Sequence, residues 1–174
     1  MWSVFAALAA TLSAAPSEGG EIENVRSLDL ELRGTVAQRC AMGSVADMDF
    51  GNLARQQASA TAHVTLDCNI PFDMTIEAVN GGLAHERLPR GEGPYAGTLP
   101  YEIGISMPVR KPGQSLVRRT IASRDLVGGH TVSSDGGIAV DGMDVTVSLG
   151  QPAGEAGLLG GNYSETIRIT IAPS

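Results

Sequence analysis

Apolar and polar residues alternate along most of this chain, and that pattern predicts β-strands. In the closing segment, isoleucines occupy positions 167, 169 and 171, with polar residues between them. A period of two is expected of a strand that buries one face. Five earlier groups show the same period: Leu28, Leu30, Leu32 and Val36; Ala62, Val64, Leu66 and Cys68; Phe72, Met74, Ile76 and Ala78; Leu99, Tyr101, Ile103 and Ile105; and Met143, Val145, Val147 and Leu149. The pattern therefore predicts an all-β protein.

Turn-forming residues separate the predicted strands. An Asn-Gly-Gly stretch at 80–82 ends one of them, and Pro108 is expected to stop another. A β-hairpin is predicted around the sequence SSDGG, between Val132 and Ile138, and Asp141 with the glycine after it opens the next strand. The chain has 174 residues, 22 glycines and nine prolines. This composition favours one domain of about seven short strands, arranged as an immunoglobulin-type sandwich rather than a barrel.

The charge of the chain argues against nucleic acid or an anionic membrane surface as a partner. The formal net charge is −7, Lys111 is the one lysine, and the arginines are scattered. Contacts to phosphates need clustered Lys and Arg side chains. We therefore expect no nucleic acid among the partners.

The N-terminus has the character of a secretory signal. An apolar run at 4–12 is followed by Ser13, Ala14 and Ala15, small residues of the kind found at cleavage sites. The run is too short to span a bilayer, so no direct membrane insertion is expected. No Lys or Arg precedes the run, which leaves a misplaced start codon or a mature strand as alternatives. The prediction is a signal peptide over 1–15 and export.

Export gives the two cysteines a role. In an oxidising compartment Cys40 and Cys68 are expected to pair as a disulfide. Two buried free thiols, or half of a metal site, are the alternatives. The sequence has no CxxC motif, and no histidine lies close to either cysteine. A metal site is therefore disfavoured.

Catalytic and metal-binding motifs are missing from the sequence. The three histidines are far apart, none lies in an HExxH motif, and no serine lies in a GxSxG motif. The spacing of Asp135, Asp141 and Asp144 does not fit a calcium-binding EF-hand loop. We therefore expect no enzyme, no metal and no cofactor.

An ordered set of short motifs gives the chain a resemblance to a known family. Cys40 follows the first alternating segment, MDFGNL follows at 48–53, and VTLDC ends at Cys68. ERL then precedes LPYEI, and GNYSETIRITI comes near the end. In this order the chain resembles the spore coat protein U domain, a family that includes subunits of archaic chaperone–usher pili. The resemblance covers roughly residues 28–172. The stretch 108–137 lacks a tryptophan-containing segment expected in the family, which leaves the subunit type open.

The resemblance implies a pilin-type immunoglobulin-like sandwich over 34–174 that lacks its final strand. An N-terminal extension, 16–33, would supply a donor strand that fills the groove of a neighbouring subunit. The donor side chains would be Leu28, Leu30 and Leu32. The acceptor groove would be lined by Val36, Ile167, Ile169 and Ile171. The same leucines could instead belong to the first strand of the chain's own sheet, and the sequence leaves that alternative open.

The resemblance also implies a function in structural assembly. A periplasmic chaperone would hold the exported subunit and an outer-membrane usher would secrete it. Copies of the chain, or related subunits, would then polymerise into a cell-surface or extracellular fibre for adhesion or biofilm formation. Two alternatives are a spore or cyst coat protein and a secreted monomeric carbohydrate-binding module.

Overall fold

The computed structural model describes residues 27–53 and 58–174. The predicted signal peptide and residues 16–26 of the extension lie outside the described residues. The chain divides into two compact units, 1–35 and 36–174. Within the described residues, every strand belongs to the second unit.

The second unit is all-β, as the sequence predicts. Its described residues form thirteen strands and one short 3₁₀ helix at Ser123–Leu126. In chain order the strands are β1 (Cys40–Met42), β2 (Ser59–Val64), β3 (Leu66–Cys68), β4 (Phe72–Ala78), β5 (Leu83–His85), β6 (Thr98–Leu99), β7 (Tyr101–Lys111), β8 (Gly113–Ala122), β9 (His130–Ser133), β10 (Ile138–Ala139), β11 (Met143–Leu149), β12 (Tyr163–Ser164) and β13 (Ile167–Pro173). No helix among the described residues is long and apolar enough to cross a membrane.

Two larger antiparallel sheets enclose the core. The first has the order β10-β7-β11-β2, with β8 paired to β7, and the second has the order β13-β4-β9. Two small sheets, β1-β3 and β12-β5-β6, complete the unit. Alternate residues of the large sheets point inward and form one hydrophobic cluster, in which Phe72, Ile76 and Ile103 are fully buried. This arrangement is a β-sandwich.

Most of the predicted alternation is confirmed. The inward residues of β4 and β11 are all buried, and so are those of β7 from Tyr101 to Val109. The predicted strand at 62–68 is interrupted at Thr65, so that β2 and β3 belong to different sheets. The outward positions carry polar side chains because only one face of each sheet meets the core.

Pro108 does not stop its strand, contrary to the prediction. β7 continues to Lys111, and Pro108 is aligned with Leu116 of β8. On the other side of β7, pairing with β11 ends at Ser106 and pairing with β10 begins at Val109. Pro108 therefore lies in a gap of the ladder, where the N–H group that proline lacks is not needed.

The hairpin predicted between Val132 and Ile138 is also wrong, although the turn is present. Asp135 and Gly136 both have positive φ, 54° and 77°, and the Gly137 N–H donates to the Ser134 carbonyl. However, β9 pairs with β4 whereas β10 pairs with β7. The turn thus carries the chain from one sheet to the other.

The first predicted strand is not formed in the single chain. The described residues from 27 to 39 contain no strand, and the side chains of Leu28, Leu30 and Leu32 are 92%, 77% and 84% exposed. A strand needs a ladder partner, which periodicity alone does not supply.

Candidate functional site

An apolar groove lies beside the last strand. The groove has a volume of about 350 Å³, and we call it the β13 groove. Ile167 and Ile169 of β13 line it, and so do residues 45–48 and Phe50. The lining also includes inward side chains of two strands in the first sheet, and residues close to the start of β13: Tyr101, Ile103, Val145, Val147, Leu83, Tyr163, Ser164 and Glu165. The groove thus opens onto the hydrophobic core.

β13 is an edge strand along this groove. It pairs with β4 over its whole length, from Ile167 opposite Ala78 to Pro173 opposite Phe72. No other strand of the described chain pairs with it. An unpaired sheet edge presents N–H and C=O groups that can extend the sheet with another strand. β13 therefore has an edge with which no described strand pairs, and at Ile167 and Ile169 it borders an apolar surface.

The isoleucines of β13 are only partly covered. Ile167, Ile169 and Ile171 pack against the core at intermediate exposure. Their paired residues on β4 are buried, and two of them, Met74 and Ile76, are completely so. This contrast places the incomplete part of the core along β13.

The structure does not bring Val36 to this groove. Its side chain is 86% exposed and does not line the cavity, and Ile171 lies farther along β13, beyond the lining. The sandwich begins after Val36, where the Arg39 N–H donates to the Asn69 side chain. Val36 was predicted to line the groove because the first strand and the last were expected to border it, but no strand is formed at Val36.

Residues 45–50, of which all but Asp49 line the groove, form a wall that was not predicted from the sequence. Met48 and Phe50 pack against the core although no strand is formed between 43 and 53. The Gly51 N–H donates to the Asp49 carboxylate at 2.7 Å, which ends this stretch in a turn. The MDFGNL motif contained evidence for this wall, since its Met and Phe are two positions apart and would lie on the same face of an extended segment.

A disulfide anchors the start of that wall. Cys40 and Cys68 are directly opposite each other in the β1-β3 pair and are joined by a disulfide, as predicted. Beside them, the Arg39 guanidinium forms an ion pair with Asp67 at 2.9 Å, and this hydrogen-bonded carboxylate raises the pKa of Arg39. Disulfides form and persist in oxidising compartments, so the bond points to a location outside the cytoplasm.

A polar cluster lies at the end of the groove where β13 begins. The Glu165 carboxylate accepts hydrogen bonds from the backbone N–H groups of Asn80, Gly82 and Thr166, at 2.8 to 3.1 Å. Tyr101, which also lines the groove, has its hydroxyl group buried. Burial, and secondarily the charge of Glu165, raises the pKa of Tyr101 well above its usual range. The phenol is therefore neutral at any physiological pH.

We expect Glu165→Ala to destabilise the sandwich by about 2 kcal/mol, because several backbone donors lose a charged acceptor. Denaturant unfolding at neutral pH measures the loss. Glu155→Ala is the matched control, because Glu155 is exposed in a turn. Equal free energies of unfolding for the two variants would contradict a structural role of the Glu165 carboxylate.

A wider depression of about 800 Å³ continues from the groove. The two cavities share Met48, Phe50, Leu83 and Tyr163 as lining residues. The wider one extends along residues 156–162. The depression therefore extends past the beginning of β13.

The histidines are not brought together. His85 is buried, and its Nδ1 accepts hydrogen bonds from the backbone N–H groups of Arg87 and Leu88. His63 is exposed, with a ring nitrogen 2.9 Å from the Asp144 carboxylate. Within residues 27–53 and 58–174, no three His, Cys, Asp or Glu side chains are grouped so as to hold a metal ion.

The fold and the groove together define a disulfide-linked β-sandwich with an unpaired edge strand. The chain matches no protein-family model, no curated protein and no solved structure.

Proposed function

We propose that this protein is an exported structural subunit that polymerises into a surface fibre by donor-strand exchange. The β13 groove of one copy would accept the leucine segment, residues 27–36, of another copy or of a related subunit. A periplasmic chaperone and an outer-membrane usher would handle the subunit before assembly. The fibre would serve adhesion or biofilm formation.

The single observation that carries the proposal is the apolar groove beside the unpaired edge of β13. An incoming strand could extend the sheet through main-chain hydrogen bonds while its alternate side chains enter the groove. The resemblance to spore coat protein U domains supports the same mechanism, since pilins of that kind are sandwiches that lack a strand.

The leucine segment has the chemistry that the groove requires. Leu28, Leu30 and Leu32 alternate with polar residues, and all three are exposed in the single chain. Exposed leucines at every second position form an apolar strip that is not buried in an isolated subunit, as is typical of an interaction surface. Fully burying three leucines is worth on the order of 5 to 9 kcal/mol before the entropy of ordering is subtracted. An interface between subunits of this kind would dissociate slowly.

Replacing the central leucine tests the proposal. We expect the wild-type chain, expressed for export, to give a ladder of oligomers on an unboiled denaturing gel and to lose the ladder on boiling. Leu30→Arg should abolish the ladder, because burying an unpaired charge in the groove is strongly unfavourable. Circular dichroism should show that the variant remains folded, since Leu30 is exposed in the subunit.

Ser27→Arg is the matched control for this test. It introduces the same side chain and the same change in charge, but at a position out of phase with the leucines. The ladder should persist in this variant. A wild-type chain that stays a folded monomer would contradict the proposal and favour a monomeric binding module instead.

A further inference from the structure

One buried polar group in the β13 groove has no hydrogen-bond partner. Tyr101 is 2% exposed, and its hydroxyl group makes no hydrogen bond with any residue that the structure describes. Buried hydroxyl groups are nearly always hydrogen-bonded, because leaving one unpaired is costly. Since Tyr101 lines the groove, a molecule in the groove could supply the missing partner.

The neighbouring polar side chains do not meet this need. Glu165 also lines the groove, but its carboxylate already accepts several backbone N–H groups. The Tyr163 hydroxyl donates to the Leu159 carbonyl at 2.7 Å and lies 3.1 Å from the Ala96 carbonyl. Two tyrosines therefore line the same groove. The hydroxyl group of Tyr163 is hydrogen-bonded within its own chain, whereas that of Tyr101 has no partner among the described residues.

We propose that the Tyr101 hydroxyl forms a hydrogen bond with the main chain of the strand that enters the β13 groove, and that this bond helps to select that strand. The occupant is the leucine segment, residues 27–36, of a second copy, so the inference rests on the proposed function. The leucine side chains offer only apolar contact, whereas the backbone presents N–H and C=O groups along its whole length. A neutral phenol can bond to either group.

The bond would distinguish a strand from other apolar occupants. A hydrocarbon chain could cover the isoleucines of β13 but would leave the Tyr101 hydroxyl unpaired. A buried group without its partner costs more than an ordinary hydrogen bond contributes. Tyr101 is therefore a specificity-determining residue of the groove.

Peptide binding to a full-length acceptor tests this assignment. The acceptor is the Leu30→Arg chain, which should not donate its own segment, and the probe is a fluorescein-labelled peptide of residues 27–36. Fluorescence anisotropy gives the Kd, and thermal unfolding of the free acceptor gives the Tm. Adding Tyr101→Phe to the acceptor should raise the Kd about 5- to 10-fold and leave the Tm nearly unchanged, because no bond within the chain is lost.

Tyr163→Phe in the same acceptor is the matched control. It removes a hydroxyl group from the same groove, but one that is bonded within its own chain. We expect a lower Tm and a Kd within about twofold of the parent. An unchanged Kd for Tyr101→Phe, with normal binding by the parent, would overturn the role of Tyr101 and leave the proposed function intact. Absence of peptide binding to the parent would overturn both.

Discussion

A chain extended after Ser174 by a short turn and a second copy of residues 27–36 is expected to be a monomer that melts about 10 °C above the Leu30→Arg subunit. β13 ends at Pro173 on the edge that borders the groove. A tight turn such as Asn-Gly would let the appended segment fold back along β13. Because the donor would then be tethered, its effective concentration would exceed that of any other copy, and polymerisation would stop.

The size of this effect follows from the apolar area that becomes covered. Three leucines gain on the order of 5 to 9 kcal/mol on burial. If ordering the strand cancels about half of that gain, several kcal/mol remain. For a chain of this length each kcal/mol raises the Tm by about 2 to 4 °C. Calorimetry measures the shift, and size-exclusion chromatography with light scattering measures the mass.

An extension with its three leucines replaced by asparagine is the control. It keeps the length, the turn and the main-chain hydrogen bonds, so any stabilisation that remains is independent of the leucines. We expect the asparagine version, made in the Leu30→Arg chain so that it cannot polymerise through its own segment, to melt close to the unextended Leu30→Arg chain. A similar Tm for the leucine and asparagine versions would show that the groove does not accept the leucine face.

Loss of the disulfide is expected to lower stability by about 3.5 kcal/mol, the chain-entropy figure for a loop of this size. The bond joins residues 28 positions apart. Replacing Cys40 and Cys68 together by alanine should therefore lower the Tm by about 7 to 14 °C. β1 has three residues and pairs only with β3 among the described strands. Releasing it would also loosen residues 45–50, which form one wall of the groove.

A reducing agent separates this effect from the substitution itself. Dithiothreitol should lower the Tm of the wild-type chain by a similar amount and leave the double-alanine variant unchanged. The oligomer ladder should weaken under reduction, because the acceptor groove loses a wall. A wild-type Tm that does not respond to complete reduction, verified by thiol titration, would contradict a stabilising role of the bond.

Local periodicity accounts for the parts of the fold that could be predicted. The strands around Met74, Ile105 and Val145 have one face in the core, and each such face leaves an alternating pattern in its own segment. Pairing of Cys40 with Cys68 also followed from the chain alone, because export would leave two cysteines free to oxidise. The first inference needs only residues that are close in sequence, and the second needs only the fact that the chain has two cysteines.

Pairing between distant segments was decided by the tertiary structure. Whether Pro108 interrupts a strand depends on which neighbours need its N–H group, and the turn at Asp135 joins two sheets because β9 and β10 have different partners. The sequence by itself determined that this is an all-β chain with one disulfide and an alternating leucine segment. Only the tertiary structure decided that no described strand pairs with the free edge of β13, that residues 45–48 and Phe50 rather than Val36 line the groove, and that the Tyr101 hydroxyl has no hydrogen-bond partner among the described residues. The physical reason is that alternation reports one buried face, whereas hydrogen-bond pairing and groove geometry depend on residues far apart in the chain.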